Sequence, residues 1–286
     1  MAVLVAVIAL SACGTPSPTS LTTATSAGTR PESIVPAPRN ILSAAQPESN
    51  GTMWALAGTA ESRGLFEFDL PGGKVVGSVS VSNAAQAVAQ SLTGTIGLAL
   101  ATKNTGALEL LDGSTAKVIQ TVPLAAPARD VVVGSDAMTF YVLTGGATDS
   151  SVTVVDSRNG RVRGTVPVPG NAVSIAADVQ QTTLYVLQPN GHVSEISIAD
   201  GKVTASFVIG DSGRSLAISP DGSTLYALKD MSPTANVAVV DVATQSVRRA
   251  LPAPQGCLQV LTSASGSQLY EVVGTAGYGN IQVFAA

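Results

Sequence analysis

Thiols, imidazoles and charge are scarce in this chain. Its 286 residues hold two cysteines and a single histidine, and only 12% of them are charged. So few soft ligands cannot supply the His/Cys cluster of a zinc centre. The 15 basic residues are scattered and the net charge is −4, so the basic footprint of a nucleic-acid binder is missing. Aromatic residues make up 4%, and no stretch sustains the 3.6-residue apolar period of a helix. Nor is there a phosphate-cradling glycine loop, because Gly72-Gly73-Lys74 reads as a hairpin turn.

What the chain does have is 45% apolar residues, 28 glycines and 16 prolines, the make-up of short strands between tight turns. The stretch from Arg214 to Leu251 shows the unit. Ser215 to Ile218 is apolar, and Ser219-Pro220-Asp221-Gly222 is a turn in which Pro presets φ and Gly accepts a positive φ. Two further strands follow over 225–228 and 237–240, then a polar turn from Asp241 and a fourth strand over 246–251. The cassette recurs. Trp54, Gly97, Tyr141, Tyr185, Tyr226 and Tyr270 occupy one position of the second strand, at steps of 43, 44, 44, 41 and 44 residues. Asp69, Asp112, Asp156, Ser197, Asp241 and Ala285, which end the third strand, step by 43, 44, 41, 44 and 44. Four strands on a period of about 40–45 residues predict a β-propeller. The count is six four-stranded blades, an all-β fold. The last unit lacks its outer strand, and Ile34-Val35-Pro36-Ala37-Pro38 matches Ala250-Leu251-Pro252-Ala253-Pro254 of the fifth. A strand at 33–36 is therefore expected to complete blade six and close the ring, which removes exposed edges.

Residues 1–12 are an apolar run ending in Leu10-Ser11-Ala12-Cys13. A dozen residues fall short of the about 20 that span a bilayer. They fit the apolar core of a signal peptide with a small-residue cleavage site, although no Lys or Arg precedes them. Leu-Ser-Ala-Cys is similar to the bacterial lipobox, which implies a lipidated Cys13. Residues 13–32, rich in Ser, Thr, Pro and Ala, read as a flexible tether with a reach of about 25 Å. The expected organisation is a signal peptide over 1–12, the anchor and tether over 13–32, and the propeller over 33–286. With Cys13 acylated, Cys257 stands alone, no disulfide is expected, and a small buried hydrophobe is the expectation for it.

Phe140-Tyr141-Val142-Leu143-Thr144, Leu184-Tyr185-Val186-Leu187, Val152-Thr153-Val154-Val155-Asp156 and Ser219-Pro220-Asp221-Gly222 resemble the repeats of the YVTN family of propellers. The resemblance runs from Ile34 to Ala286. Blades three and five carry it best, and blades one and two least. Six blades depart from the seven frequent in that family. With the lipobox, the whole resembles an actinobacterial-type lipoprotein. These motifs specify a fold and carry no chemistry.

Several residues invite a functional reading. Gly210-Asp211-Ser212-Gly213 mimics a serine-protease nucleophile motif, but a working serine needs a histidine base. His192, the sole candidate, lies in a blade-four hairpin tip, and the motif is set aside as a decoy. Asp69, Asp112, Asp156 and Asp241 each open a turn and are expected to accept from backbone N–H groups. The ruler aromatics are expected to pack between blades. Arg39 (Pro-Arg-Asn-Ile), Arg129 (Ala-Arg-Asp-Val) and Arg214 (Gly-Arg-Ser-Leu) stand ahead of the innermost strands of blades one, three and five. That spacing predicts three arginines about the upper mouth of the channel, with Asn40 and Asp130 beside them, as an anion-binding site. Lys103, His192, Met231 and Tyr278, on loops between second and third strands, are expected on the same face.

The expected function is a lipid-anchored, extracytoplasmic, monomeric propeller. It acts as a non-catalytic binding or scaffolding module of a bacterial envelope, with no cofactor. Its expected contacts are the membrane through Cys13 and an envelope protein or an anionic glycan or peptide. The alternative is a channel-mouth hydrolase or lactonase, since six-bladed lactonases hold a metal there and Asn40 and Asp130 start strands at that place.

Overall fold

The inner strands are short apolar runs and the outer ones alternate, so each repeat folds as one antiparallel sheet with a sheltered and a wet end. In the computed structural model, which describes residues 30–146, 148–231, 234–275 and 278–286, six such four-stranded sheets form a six-bladed β-propeller. Blades one to five span 41–81, 85–124, 128–168, 174–208 and 215–253. Blade six takes three strands, Cys257–Thr262, Gln268–Thr275 and Tyr278–Ala285, and its fourth is the N-terminal strand Ser33–Ala37. Ser33 pairs with Val283, Val35 with Ile281 and Ala37 with Gly279. The ring is closed as the matching Pro-Ala-Pro segments predict. Residues 1–29, with the apolar run, Cys13 and most of the tether, lie outside the described residues.

The core is divided into six clusters, one in each seam between neighbouring blades. Tyr141 of blade three packs with Ile175, Leu184 and Val186 of blade four. Tyr185, Tyr226 and Tyr270 repeat this against blades five, six and one, and Trp54 does so against blade two. Gly97 breaks the series for a steric reason. Phe140 of blade three leans into that seam, and a Cβ on Gly97 would lie 2.4 Å from its Cε1.

The turn carboxylates sit as expected. Gly72 N donates to Asp69, Ser114 N and Thr115 N to Asp112, Arg158 N to Asp156, and Thr244 N to Asp241. Asp156 also holds the guanidinium groups of Arg158 and Arg163. These hydrogen bonds keep its carboxyl well below the usual range.

Candidate functional site

An innermost strand has a neighbour on one side only, so its other edge turns N–H groups toward the channel, and buried donors need acceptors. Here the acceptors are side chains, each supplied by one blade to the next. Ser43 Oγ accepts from Val88 N, Asp130 Oδ2 from Ile175 N, and Ser174 Oγ from Leu216 N. Ser215 Oγ accepts from Val260 N, and Gln259 Oε1 accepts from Ala44 N at 2.7 Å. The sixth place is Ala87, which has no acceptor to offer Val131. Asp130 fills the gap from within its own strand, its Oδ1 accepting from Val131 N at 2.9 Å. The belt is thus complete around the channel, and one carboxylate serves two of its six positions.

Asp130 also accepts from Ser174 Oγ at 2.9 Å. Burial raises its pKa, and the bonds from Ile175 N, Ser174 Oγ and Val131 N oppose that rise without cancelling it. The carboxyl itself is enclosed, and the residue as a whole keeps partial contact with the channel.

Above the belt lies a cavity of about 430 Å³. In blades one, two, three and six a register shift in the inner strand pair, as between Ala128 and Asp130, sets one residue aside at its edge. Those residues are Leu42, Gln86, Arg129 and Leu258. With Val173 and Arg214 of the unshifted blades they form a ring of six around the mouth. Asp130, Ser174 and Gln259 line both this cup and the channel space beneath it, so the belt forms its floor.

Of the five residues expected here, Arg129, Arg214, Asn40 and Asp130 line the one cavity. Arg39 does not line it. It is exposed, and its Nη1 donates to Ser62 Oγ at 3.1 Å, on the hairpin between the second and third strands of blade one. The register explains the displacement. Asn40 O accepts from Gly58 N just as Pro127 O accepts from Gly145 N, so Leu42, and not Arg39, stands where Arg129 stands. The likeness of Arg-Asn-Ile to Arg-Asp-Val is offset by three residues from the true alignment. Asn40 Oδ1 is buried with no hydrogen-bond partner, and a Cβ added at Gly274 would lie 2.6 Å from it.

Lys103 lines an adjoining cavity that it shares with Arg129, between blades two and three. His192 and Tyr278 are exposed, and Tyr278 Oη accepts from Asn280 Nδ2 at 2.6 Å. The Met231 side chain lies outside the described residues. The blade-four hairpin and the 210–213 loop are bonded to each other, Ile209 N to Gly191 O and Gly213 N to Pro189 O. Ser212 Oγ is buried without a hydrogen-bond partner, so His192 is not its base in this arrangement. Among the described residues no three His, Cys, Asp or Glu side chains converge as metal ligands.

Beyond Asp130, Arg129 and Arg214, the residues of the belt and the ring were not legible from sequence. Their signal is faint: a polar residue two places after the start of the innermost strand in blades one, three and six, and at the start itself in blades four and five.

No family model matches the chain, and no curated protein matches it. A chain of Kuenenia stuttgartiensis hydrazine synthase is similar in structure, with a TM-score of 0.63 and 17% identity over 87% of this chain and 76% of that one. At that identity the likeness extends to the fold alone. The fold is shared by 1673 matching chains, so it names no activity.

Proposed function

We propose that the protein is a YVTN-type propeller lipoprotein, a non-catalytic binding module held to a bacterial envelope membrane through Cys13. The observation that carries this reading is the polar cup at the channel mouth. It is a concave site of a size suited to a small ligand or a peptide end, with two guanidinium groups on its rim and fixed acceptors in its floor. A propeller presents such a cup rigidly, because the floor residues of five blades are each tied to the next blade.

The path of the N-terminal strand supports the orientation. Ser33–Ala37 runs against Tyr278–Ala285, and Glu32 N donates to Val283 O. The described chain therefore begins at the lower rim, at the end opposite the cup. An anchor upstream of Arg30 therefore joins the propeller at the end away from the cup and leaves the cup open to partners.

Two measurements on the chain expressed in a bacterial host test this. Labelled fatty acid should be incorporated, and Cys13→Ala should abolish the label; a labelled variant would end the anchoring. Crosslinked pull-down from native membranes should recover a partner or ligand that Arg129→Ala with Arg214→Ala fails to recover. Equal recovery by both proteins would remove the cup from the function.

A further inference from the structure

We propose that the cup takes an apolar α-amino acid, through its carboxylate, its ammonium group and its side chain at once. The proposal rests on the cup being the binding site and adds the class of ligand.

The argument is the order of groups around and down the cup. Around the mouth the ring runs Leu42, Gln86, Arg129, Val173, Arg214, Leu258. Its polar members, Gln86, Arg129 and Arg214, fall on one arc with Val173 between the two arginines, while Leu258 and Leu42 are neighbours on the other. Both arginines are exposed at the rim, where planar guanidinium donors engage a carboxylate. One residue further down each strand the character reverses, because the floor holds Asp130 and a run of acceptors. Asp130 accepts three hydrogen bonds, one on Oδ1 and two on Oδ2. A carboxylate offers about four acceptor sites, so one site on Oδ1 remains.

Cations on the rim above a carboxylate in the floor form a fixed dipole. A simple anion meets the rim but is repelled by the floor, and a simple amine meets the reverse. A zwitterion satisfies both levels. Its ammonium also offsets the cost of burying Asp130, a cost visible in the raised pKa of that group. The Leu42–Leu258 arc then covers an apolar substituent on the side away from the arginines. A cavity of about 430 Å³ leaves room for such a molecule with ordered water.

Four matched probes separate the contributions: leucine, 4-methylpentanoate (no ammonium), isoamylamine (no carboxylate) and glycine (no side chain). In calorimetry on the full chain in detergent, leucine should bind at least about tenfold more tightly than each of the other three; a tenfold ratio is about 1.4 kcal/mol. Arg129→Ala should weaken leucine and 4-methylpentanoate together and, by removing a repelling charge, tighten isoamylamine. Asp130→Asn should weaken leucine while sparing 4-methylpentanoate, with its melting curve recorded because the belt depends on that residue. If 4-methylpentanoate matches leucine, the floor makes no contact with the ligand and this proposal falls, while an anion-binding cup stands. If none of the four binds, the ligand class is wrong. The pull-down described above then decides separately whether the cup binds anything.

Discussion

Glu271 occupies a place that is apolar in the other repeats. It follows the ruler aromatic Tyr270, where Ala55, Leu98, Val142, Val186 and Ala227 stand in blades one to five. It is 1% exposed, and its Oε2 has no hydrogen-bond partner. Burial pushes its carboxyl up from 4.5 to about 7. A folded-state pKa above the unfolded one means the fold favours the neutral acid. The stability it contributes is whole below about pH 4.5 and is lost as pH rises through about 7. The difference is worth about 2–3 kcal/mol between pH 5 and pH 8. The melting temperature should therefore fall across that window, and Glu271→Gln should flatten the fall and raise stability at pH 8. Retention of the full pH dependence in that variant would place the titrating group elsewhere. The turn carboxylates act in the opposite sense and at lower pH, since Asp112, Asp156 and Asp221 are all held below the ordinary value by hydrogen bonds. A second residue-scale prediction concerns Gly97. Adding a methyl group against the Phe140 ring should cost about 1–3 kcal/mol as overpacking. In a Phe140→Leu background Gly97→Ala should cost less, and equal costs in both backgrounds would show that the ring is not the obstacle.

The strand Ser33–Ala37 carries the closure of the ring. Its Val35 is fully buried in the seam between blades six and one, beside Ile281 and Val283. Burying such a side chain contributes about 1.5–3 kcal/mol. Its loss would also leave the whole edge of Tyr278–Ala285 unpaired. Chains beginning at Thr29 and at Arg39 differ by this element. The first should melt with the full chain, and the second about 10 °C lower, with a tendency to associate through the bared edge. Coincident melting curves would mean that the last blade holds with three strands. The element also shows how sequence can mislead at close range. The Pro-Ala-Pro match located the strand, but the same matching instinct placed Arg39 three residues away from its structural equivalent. The ruler itself marks the slip: Trp54 and Tyr141 lie 87 residues apart, which sets Leu42, not Arg39, level with Arg129, and the same register shift in both blades leaves that spacing unchanged.

Across the whole molecule, the belt crosses five of the six seams through single side chains, and Asp130 covers the sixth position from within blade three. Removing an acceptor leaves a buried N–H without a partner, at about 1–3 kcal/mol each. Ser215→Ala orphans Val260 alone, whereas Asp130→Ala orphans both Val131 and Ile175. In urea titration the second should cost roughly twice the first. Ala87→Ser should restore the absent acceptor for Val131 and make Asp130→Ala less costly. Additive effects of Ala87→Ser and Asp130→Ala would show that the two positions do not share a donor.

The sequence by itself determined the blade count, the four-strand repeat, the turns and the closing strand. These are local quantities, set by apolar alternation, by Pro and Gly at fixed offsets, and by a period that two independent positions report alike. Only the tertiary structure decided who meets whom around the axis. Four of the belt bonds join residues 42–45 apart, and the fifth, between Gln259 and Ala44, closes the ring across 215. The pairing is the same in the four blades with an inner-strand register shift and the two without. A one-residue shift at a strand edge changes which side chain faces the channel, and composition does not record it. Arg129 and Arg214 were legible as a pair because the 85 residues between them match the spacing of Tyr141 and Tyr226; Arg39 breaks that spacing, and only the fold shows Asp130 standing in for Ala87.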